Sequence, residues 1–255
     1  MIELDIAIKN KCYANSPSVV LKEVEFNVEP GEFVAIIGPS GSGKTTLLNM
    51  LSGLEDSTAQ TILCNGKPIN GFKEVQLGYI FQQPRLMPWL TVQENIQLVL
   101  TNPEDIKIKQ LLAQVGLAGK ENYYPKQLSG GMQKRVAIAR AFAVNPELIL
   151  LDEPFNSLDA PTATKLRQLL VELCKIRKST VILVTHDLSE AICLADRIIF
   201  MSDSPSSLIH QCNVDLPKPR VESGCDELAW QAKLIQQYPN ILSGSLISIS
   251  DCSTA

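Results

Sequence analysis

The stretch Phe33-Val34-Ala35-Ile36-Ile37-Gly38-Pro39-Ser40-Gly41-Ser42-Gly43-Lys44-Thr45-Thr46-Leu47-Leu48-Asn49-Met50-Leu51 changes character twice within nineteen residues. Five apolar residues read as a buried strand, a turn with three glycines follows, and Thr46 to Leu51 reads as a helix. Strand, glycine-rich turn and helix together form a phosphate-binding loop, because the glycines let successive N–H groups and the helix N-terminus point at anionic oxygens. Lys44 supplies a mobile positive charge for β- and γ-phosphates, and Thr45 a hydroxyl for Mg²⁺. The competing reading, a glycine turn entering a surface helix, does not account for the strand before it.

Two more segments extend the pattern. Leu148-Ile149-Leu150-Leu151-Asp152-Glu153 is an apolar run ending in two carboxylates. Such a run fits a parallel strand buried on both faces, and ligands of open α/β sheets bind at carboxyl strand ends. Adjacent acids there would repel unless a cation sat with them, and Mg²⁺ is the natural partner. Side chains alternate across a strand, so Asp152 can serve the metal and Glu153 a water. Leu128-Ser129-Gly130-Gly131-Met132-Gln133-Lys134-Arg135 precedes a helix-like stretch carrying Met132, Val136, Ala139 and Phe142. Its glycine pair offers donors to a second phosphate contact. As a plain N-cap, Ser129 would satisfy the same helix end, and a capped N-terminus is itself an anion site, so the two readings coincide.

With these residues in view, the chain resembles the nucleotide-binding subunit of an ATP-binding-cassette (ABC) transporter, from the N-terminus to about residue 220. The resemblance implies an α/β fold: a P-loop NTPase (RecA-like) core with an antiparallel β layer and an inserted helical subdomain. It makes Gly38, Pro39, Ser40, Gly41, Ser42, Gly43, Lys44 and Thr45 the Walker A loop, followed by Thr46. Gln82 in Tyr79-Ile80-Phe81-Gln82-Gln83 becomes the Q-loop glutamine, while Ser129, Gly130 and Gly131 fall in the signature. Asp152 and Glu153 belong to Walker B, Ser157-Leu158-Asp159 to the D-loop, and His186 in Leu183-Val184-Thr185-His186-Asp187 is the switch histidine. ATP and Mg²⁺ are the implied cofactors, with Thr45, Gln82 and Asp152 as metal residues and Glu153, His186 and Gln82 as the catalytic set. ATP would lie between the Walker A loop of one subunit and the signature of a second, identical or related, subunit, with Asp159 beside it.

Each role suits its residue. Glu153 can act as general base or polarise the attacking water. His186 follows the apolar run Thr180 to Val184, so its ring can reach a γ-phosphate from a strand end; the competing reading is an ordinary polar histidine. His210, the second of two histidines, has no such context. Tyr13 stands where the family has an aromatic that stacks on adenine, although tyrosines are also common in strands.

Composition agrees with a globular enzyme. Of 255 residues, 45% are hydrophobic and 20% charged. No stretch approaches the roughly 20 apolar residues needed to cross a bilayer. The start, Met1-Ile2-Glu3-Leu4-Asp5, has acids where a signal peptide has bases. A formal charge of −4 gives no general reason to bind nucleic acid. Seven cysteines without Cys-x-x-Cys spacing suggest reduced thiols, not a disulfide frame or zinc site. The expected place is the cytoplasmic side of the inner (cell) membrane, held peripherally by a partner.

Turn signals organise the rest. Residues 1–30 and about 58–81 read as an antiparallel β layer with Asn-Gly and Lys-Pro turns. Residues 84–143 are rich in helix signals, including Ile106 to Gly116, and form the expected helical subdomain. Pro161 opens a long helix with Leu166, Leu169, Leu170 and Leu173 on one face. An ATPase domain over 1–220 would leave 221–255 as a short C-terminal extension with a helix near Asp226 to Gln237.

The segment Gln83-Pro84-Arg85-Leu86-Met87-Pro88-Trp89-Leu90-Thr91-Val92 holds two prolines that limit its freedom. In the family this region docks the membrane subunit, so a polytopic permease is the expected partner, with a solute-binding protein acting indirectly. The competing reading folds Trp89 into the helical subdomain. The wording of this loop, of Asp152 to Asp159 and of Leu216-Pro217-Lys218-Pro219-Arg220 is most similar to importer ATPases for nitrate, sulfonate and taurine. Pro161-Thr162-Ala163-Thr164 departs from those relatives, which commonly carry an arginine there. The expected function is thus an ATP-hydrolysing importer subunit that dimerises around two MgATP. A soluble ABC ATPase in repair or translation, or the ATPase of an exporter, shares the same ATPase motifs.

Overall fold

A computed structural model describes residues 1–13, 16–55, 61–68, 75–221 and 224–246. In chain order the strands are β1 (Leu4–Tyr13), β2 (Ser16–Val28), β3 (Phe33–Ile37), β4 (Thr61–Cys64), β5 (Lys67–Pro68), β6 (Leu77–Ile80), β7 (Leu148–Asp152), β8 (Thr180–Thr185), β9 (Arg197–Met201) and β10 (Leu208–Asn213). The helices are α1 (Lys44–Leu51), α2 (Val92–Gln97), α3 (Asp105–Gln114), α4 (Gly130–Ala143), α5 (Ala160–Arg177), α6 (Leu188–Leu194) and α7 (Cys225–Gln237). The chain divides into two compact units, one of Ile2–Gly71 with Thr180–Ala255, the other of Met1 with Phe72–Ser179.

In the first unit, β3 lies between β8 and β9 and runs parallel to both, while β10 pairs antiparallel with β9. Every residue of β3 and β8 is buried, as expected for strands covered on both faces. A second, antiparallel sheet has the order β2-β1-β4-β5. There the pattern alternates: Leu4, Ile6 and Ile8 are buried while Asp5 and Ala7 are half-buried. Asn65 and Gly66, both with positive φ, close the β4–β5 hairpin. The second expected Asn-Gly turn, Asn70-Gly71, lies outside the described residues.

The second unit pairs β6 parallel to β7, Leu77 opposite Leu148 and Ile80 opposite Leu151. This corrects the sequence reading, which placed residues up to 81 in the antiparallel layer. The reason is close packing: a Cβ on Gly78 would stand 2.8 Å from the Ala141 carbonyl oxygen, so only glycine lets α4 lie this near to β6. Helix ends follow their local chemistry. Thr91 and Glu94 form a reciprocal capping box at α2. Asp159 accepts from the Thr162 N–H at the start of α5, and Leu166, Leu170 and Leu173 on that helix are buried. The expected helices at 106–116 and 226–237 are α3 and α7, each beginning one residue earlier.

Candidate functional site

The unit containing β3 carries the phosphate loop, and there the turn after Ile37 delivers the chain into α1. Gly43, the N-cap residue, has φ 84°, and a Cβ on it would meet Val20 and Leu21 side-chain carbons at 2.9 Å. A side chain here is excluded by backbone conformation and by space alike. No side chain caps α1 and its first turn holds no acid, so its N-terminal donors remain suited to an anion. Lys44 is 6% exposed. Its ammonium lies 2.8 Å from the Gly38 carbonyl oxygen, 2.7 Å from that of Pro39 and 3.3 Å from Ser42 Oγ. The lysine is thus folded back over the loop it serves.

Tyr13, at the end of β1, reaches the same helix: its hydroxyl is 2.9 Å from Thr46 Oγ1. Lys11 lies over the Tyr13 ring, 5.6 Å from its centroid. His186 follows β8 directly and is exposed. Its neighbours hold it in register. Thr185 Oγ1 donates to the buried Glu190 carboxylate at 2.7 Å and accepts from the Asp187 N–H at 3.1 Å, while Asp187 caps α6 through the Ser189 N–H.

In the unit containing β7, the acidic end of that strand gathers Gln82 and Glu153. Asp152 is buried. Gln82 Nε2 lies 3.3 Å from Glu153 Oε2, and Asn156 Nδ2 lies 3.0 Å from the same oxygen. Glu153 itself has φ 43°, an uncommon conformation for a residue with a side chain, and Ser157 has φ 63°. Lys134 of α4 ties this turn down with hydrogen bonds of 2.7 Å to the Pro154 carbonyl and 2.6 Å to that of Asn156. Asn156 and Lys134 were not among the candidates read from sequence. The available signal was an amide three residues after Glu153, within reach only once the turn is known.

Ser129 accepts from the Met132 N–H at 3.3 Å, so it is the N-cap of α4. Ser129, Gly130, Gly131, Asp159 and Thr162 line one pocket. Hydrogen bonds from Thr162, the side chain first, hold the Asp159 carboxyl below its usual range. The loop after Gln82 is fastened by Arg140 of α4, whose guanidinium donates at 2.9 Å to the carbonyls of Arg85 and Pro84. Trp89 is 70% exposed, and Leu86 and Met87 are half-buried, so the tryptophan is not part of the helical core.

In the unit containing β7, Gln82 and Asp152 offer amide and carboxylate oxygens, and in the unit containing β3, Thr45 offers a hydroxyl; each is a hard ligand of the kind that suits Mg²⁺. Among the described residues there is no cluster of three His, Cys, Asp or Glu side chains that would hold a metal on protein ligands alone. Among those residues, too, no helix is long and apolar enough to cross a membrane.

The family model described as "ABC transporter" matches residues 21–156. The aliphatic sulfonates import ATP-binding protein SsuB of Bacillus licheniformis is 43% identical over 224 residues, covering 86% of this chain and 88% of that protein. Its counterpart SsuB 2 from Pseudomonas syringae pv. tomato is 43% identical over 218 residues, 85% of this chain and 90% of that protein. The Bacillus subtilis SsuB is 39% identical over 239 residues, 91% and 93% of the two chains. Among solved structures, the dimeric post-hydrolysis state of the ATP-binding cassette MJ0796 bound to ADP and Pi superposes with a TM-score of 0.72 at 34% identity, covering 85% of this chain and all of that one. A second dimeric structure of MJ0796 gives 0.73 with the same identity and coverage. The fold is accordingly that of a P-loop NTPase with the antiparallel layer that the sequence implied.

Proposed function

The chain belongs to the ABC transporter family of ATPases, and from that premise we propose that it powers an importer, pairing with a second copy around two ATP molecules and drawing in an aliphatic sulfonate or similar small anion. The single observation that carries the reading is the division of phosphate-binding features. The loop Gly38 to Thr46 presents an uncapped helix N-terminus beside Lys44, and the capped N-terminus of α4 opens, with Asp159, into a pocket of its own. Two anion-binding helix ends suit a nucleotide shared between two chains. The dimeric cassettes and the sulfonate-import relatives support the partner and the cargo.

In this reading Gly38, Pro39, Ser40, Gly41, Ser42 and Gly43 wrap the phosphates with backbone donors. Lys44 exchanges its loop carbonyls for the β- and γ-phosphate oxygens, a stronger, doubly ionic contact. Thr46 sits with Tyr13, whose ring stacks on adenine. Thr45, Gln82 and Asp152 would hold Mg²⁺, which when bound neutralises charge on the phosphates. Glu153 accepts a proton from the attacking water, and His186 donates to the γ-phosphate. Ser129, Gly130 and Gly131 of the second copy complete the donors around it, with Asp159 beside them, so a lone chain lacks transition-state contacts.

Domain limits follow the same reading: an ATPase domain over 1–220 with its helical subdomain at about 84–143, and an extension over 221–255. The segment Gln83 to Val92 docks the permease, supported by an exposed Trp89 on a proline-stiffened loop anchored by Arg140. The chain then sits peripherally on the cytoplasmic face of the cell membrane, with a solute-binding protein acting through the permease and no nucleic acid involved. The test is a tagged Glu153→Gln chain purified from gently solubilised cells with ATP. Recovery of a polytopic membrane protein is expected, and labelled sulfonate should enter vesicles reconstituted with the complex. Recovery of ribosomes, of DNA or of the ATPase alone would overturn the importer reading.

A further inference from the structure

Asn156 is placed differently from the other residues near Glu153, because its side chain does two separable things at once. Nδ2 donates to Glu153 Oε2 at 3.0 Å, while Oδ1 accepts from the Ser157 N–H at 2.9 Å. The first bond bears on the carboxylate and the second only on the turn. Its main chain is equally committed: the Asn156 N–H donates to the Glu153 carbonyl at 3.2 Å, and the Asn156 carbonyl accepts from Lys134 at 2.6 Å. The turn from Glu153 to Ser157 begins and ends in left-handed backbone, φ 43° and 63°. Such a conformation persists only when its surroundings over-determine it, and Lys134 and Asn156 supply that constraint.

We infer that Asn156 is a positioning residue for hydrolysis, aiming the Glu153 carboxylate at the attacking water by donating to its Oε2. This rests on the reading of Glu153 as the general base. An amide suits the task because it donates without charge, whereas a cation would pair with the carboxylate and blunt it as a base. Gln82, which donates to the same Oε2 at 3.3 Å, is exposed and lies 71 residues away. Asn156 is in the same turn as Glu153, half-buried and tied at both ends, so it is the less mobile of the two donors.

The two bonds can be separated by substitution. Asn156→Asp is nearly isosteric, keeps an oxygen for the Ser157 N–H, and replaces the donor by a carboxylate facing Glu153. Asn156→Ala loses both bonds. Steady-state ATP hydrolysis by the full chain should show kcat reduced about tenfold or more in Asn156→Ala, the scale expected when a reacting group loses its orientation. Asn156→Asp should be at least as slow, and the KM for ATP should stay within about twofold in both, since neither change removes ground-state contacts. Higher kcat in Asn156→Asp than in Asn156→Ala would overturn the inference, because only the turn bond would then matter. Asn156→Leu, of similar volume and uncharged, guards against misfolding of the aspartate: kcat reduced about tenfold is expected on the same grounds, and wild-type kcat overturns the inference. Glu153→Gln run in parallel separates the two readings. If it hydrolyses ATP at the wild-type rate, the general-base reading itself fails; if it is inactive while Asn156→Asp turns over normally, only the role of Asn156 fails.

Discussion

The hydroxyls of Tyr13 and Thr46 lie 2.9 Å apart, joining the last residue of β1 to the first turn of α1. A residue of the antiparallel layer is thereby fixed beside the phosphate loop, and it remains 38% exposed. In the proposed function its ring stacks on adenine.

Tyr13→Ala should weaken ATP binding by about 1–3 kcal/mol, the worth of one base stacked on an aromatic ring. Tyr13→Phe keeps the ring and should bind within about twofold of wild type, because losing a part-exposed hydrogen bond to Thr46 costs little. Calorimetric titration with ATP distinguishes the two. Equal affinities in wild type and Tyr13→Ala would remove the ring from the binding site.

Gly78→Ala tests the correction to the sheet assignment. Its Cβ would meet the Ala141 carbonyl oxygen and Ile149 Cδ1, both at 2.8 Å, and a backbone atom cannot swing aside. Overpacking of this kind costs about 1–3 kcal/mol, to be read as a lower urea midpoint.

Arg220 donates to the carbonyls of Ile192, Ala195, Val214 and Leu216, the last from both Nε and Nη2. All five of its N–H groups are committed, and they close the C-terminal end of α6 against the chain leaving β10. Lysine has three donors on one atom and cannot span these four carbonyls. Arg220→Lys should therefore lower stability by about 1–3 kcal/mol, the worth of charge-assisted bonds lost with their acceptors left behind, as measured by urea denaturation.

Thiol reactivity should follow burial. Desolvation pushes the Cys174 thiol up to about 12, and burial followed by the Asp215 carboxylate pushes Cys212 up to about 11. Both are protonated at pH 8, and the thiolate is the reactive species. Cys12 and Cys225 are exposed. Brief maleimide labelling of the native chain at pH 8, read by peptide mass, should modify Cys12 and Cys225 and spare Cys174 and Cys212. Raising the pH towards 11 should begin to label Cys212 before Cys174.

The glycine-rich loop and the strand and helix that flank it were legible because their chemistry is local. Gly38 to Thr46 must be contiguous for the backbone to wrap an anion, and β3, β7 and β8 announce themselves as unbroken apolar runs. The position of β6 was not legible, because Leu77 to Ile80 is short and its neighbours are set by how closely Gly78 lets α4 approach. Trp89 had two open readings, and its exposure removes the one that buried it in the helical subdomain. Asn156, Lys134 and Arg140 were invisible for a different reason. Each acts through bonds to backbone carbonyls or to a carboxylate whose direction depends on a turn, and Lys134 and Arg140 reach partners 20 and 55 residues away. Sequence spacing has no period that reports such contacts.

If two copies of this chain close around ATP and Glu153 lets them open again by hydrolysis, sedimentation velocity of Glu153→Gln with and without MgATP will show it most directly. A monomer is expected without nucleotide and a stable dimer with it, while wild type under the same conditions returns to monomer as ATP is consumed. A Glu153→Gln chain that remains monomeric with its nucleotide site saturated, while wild type hydrolyses ATP at a specific rate independent of protein concentration, would contradict it.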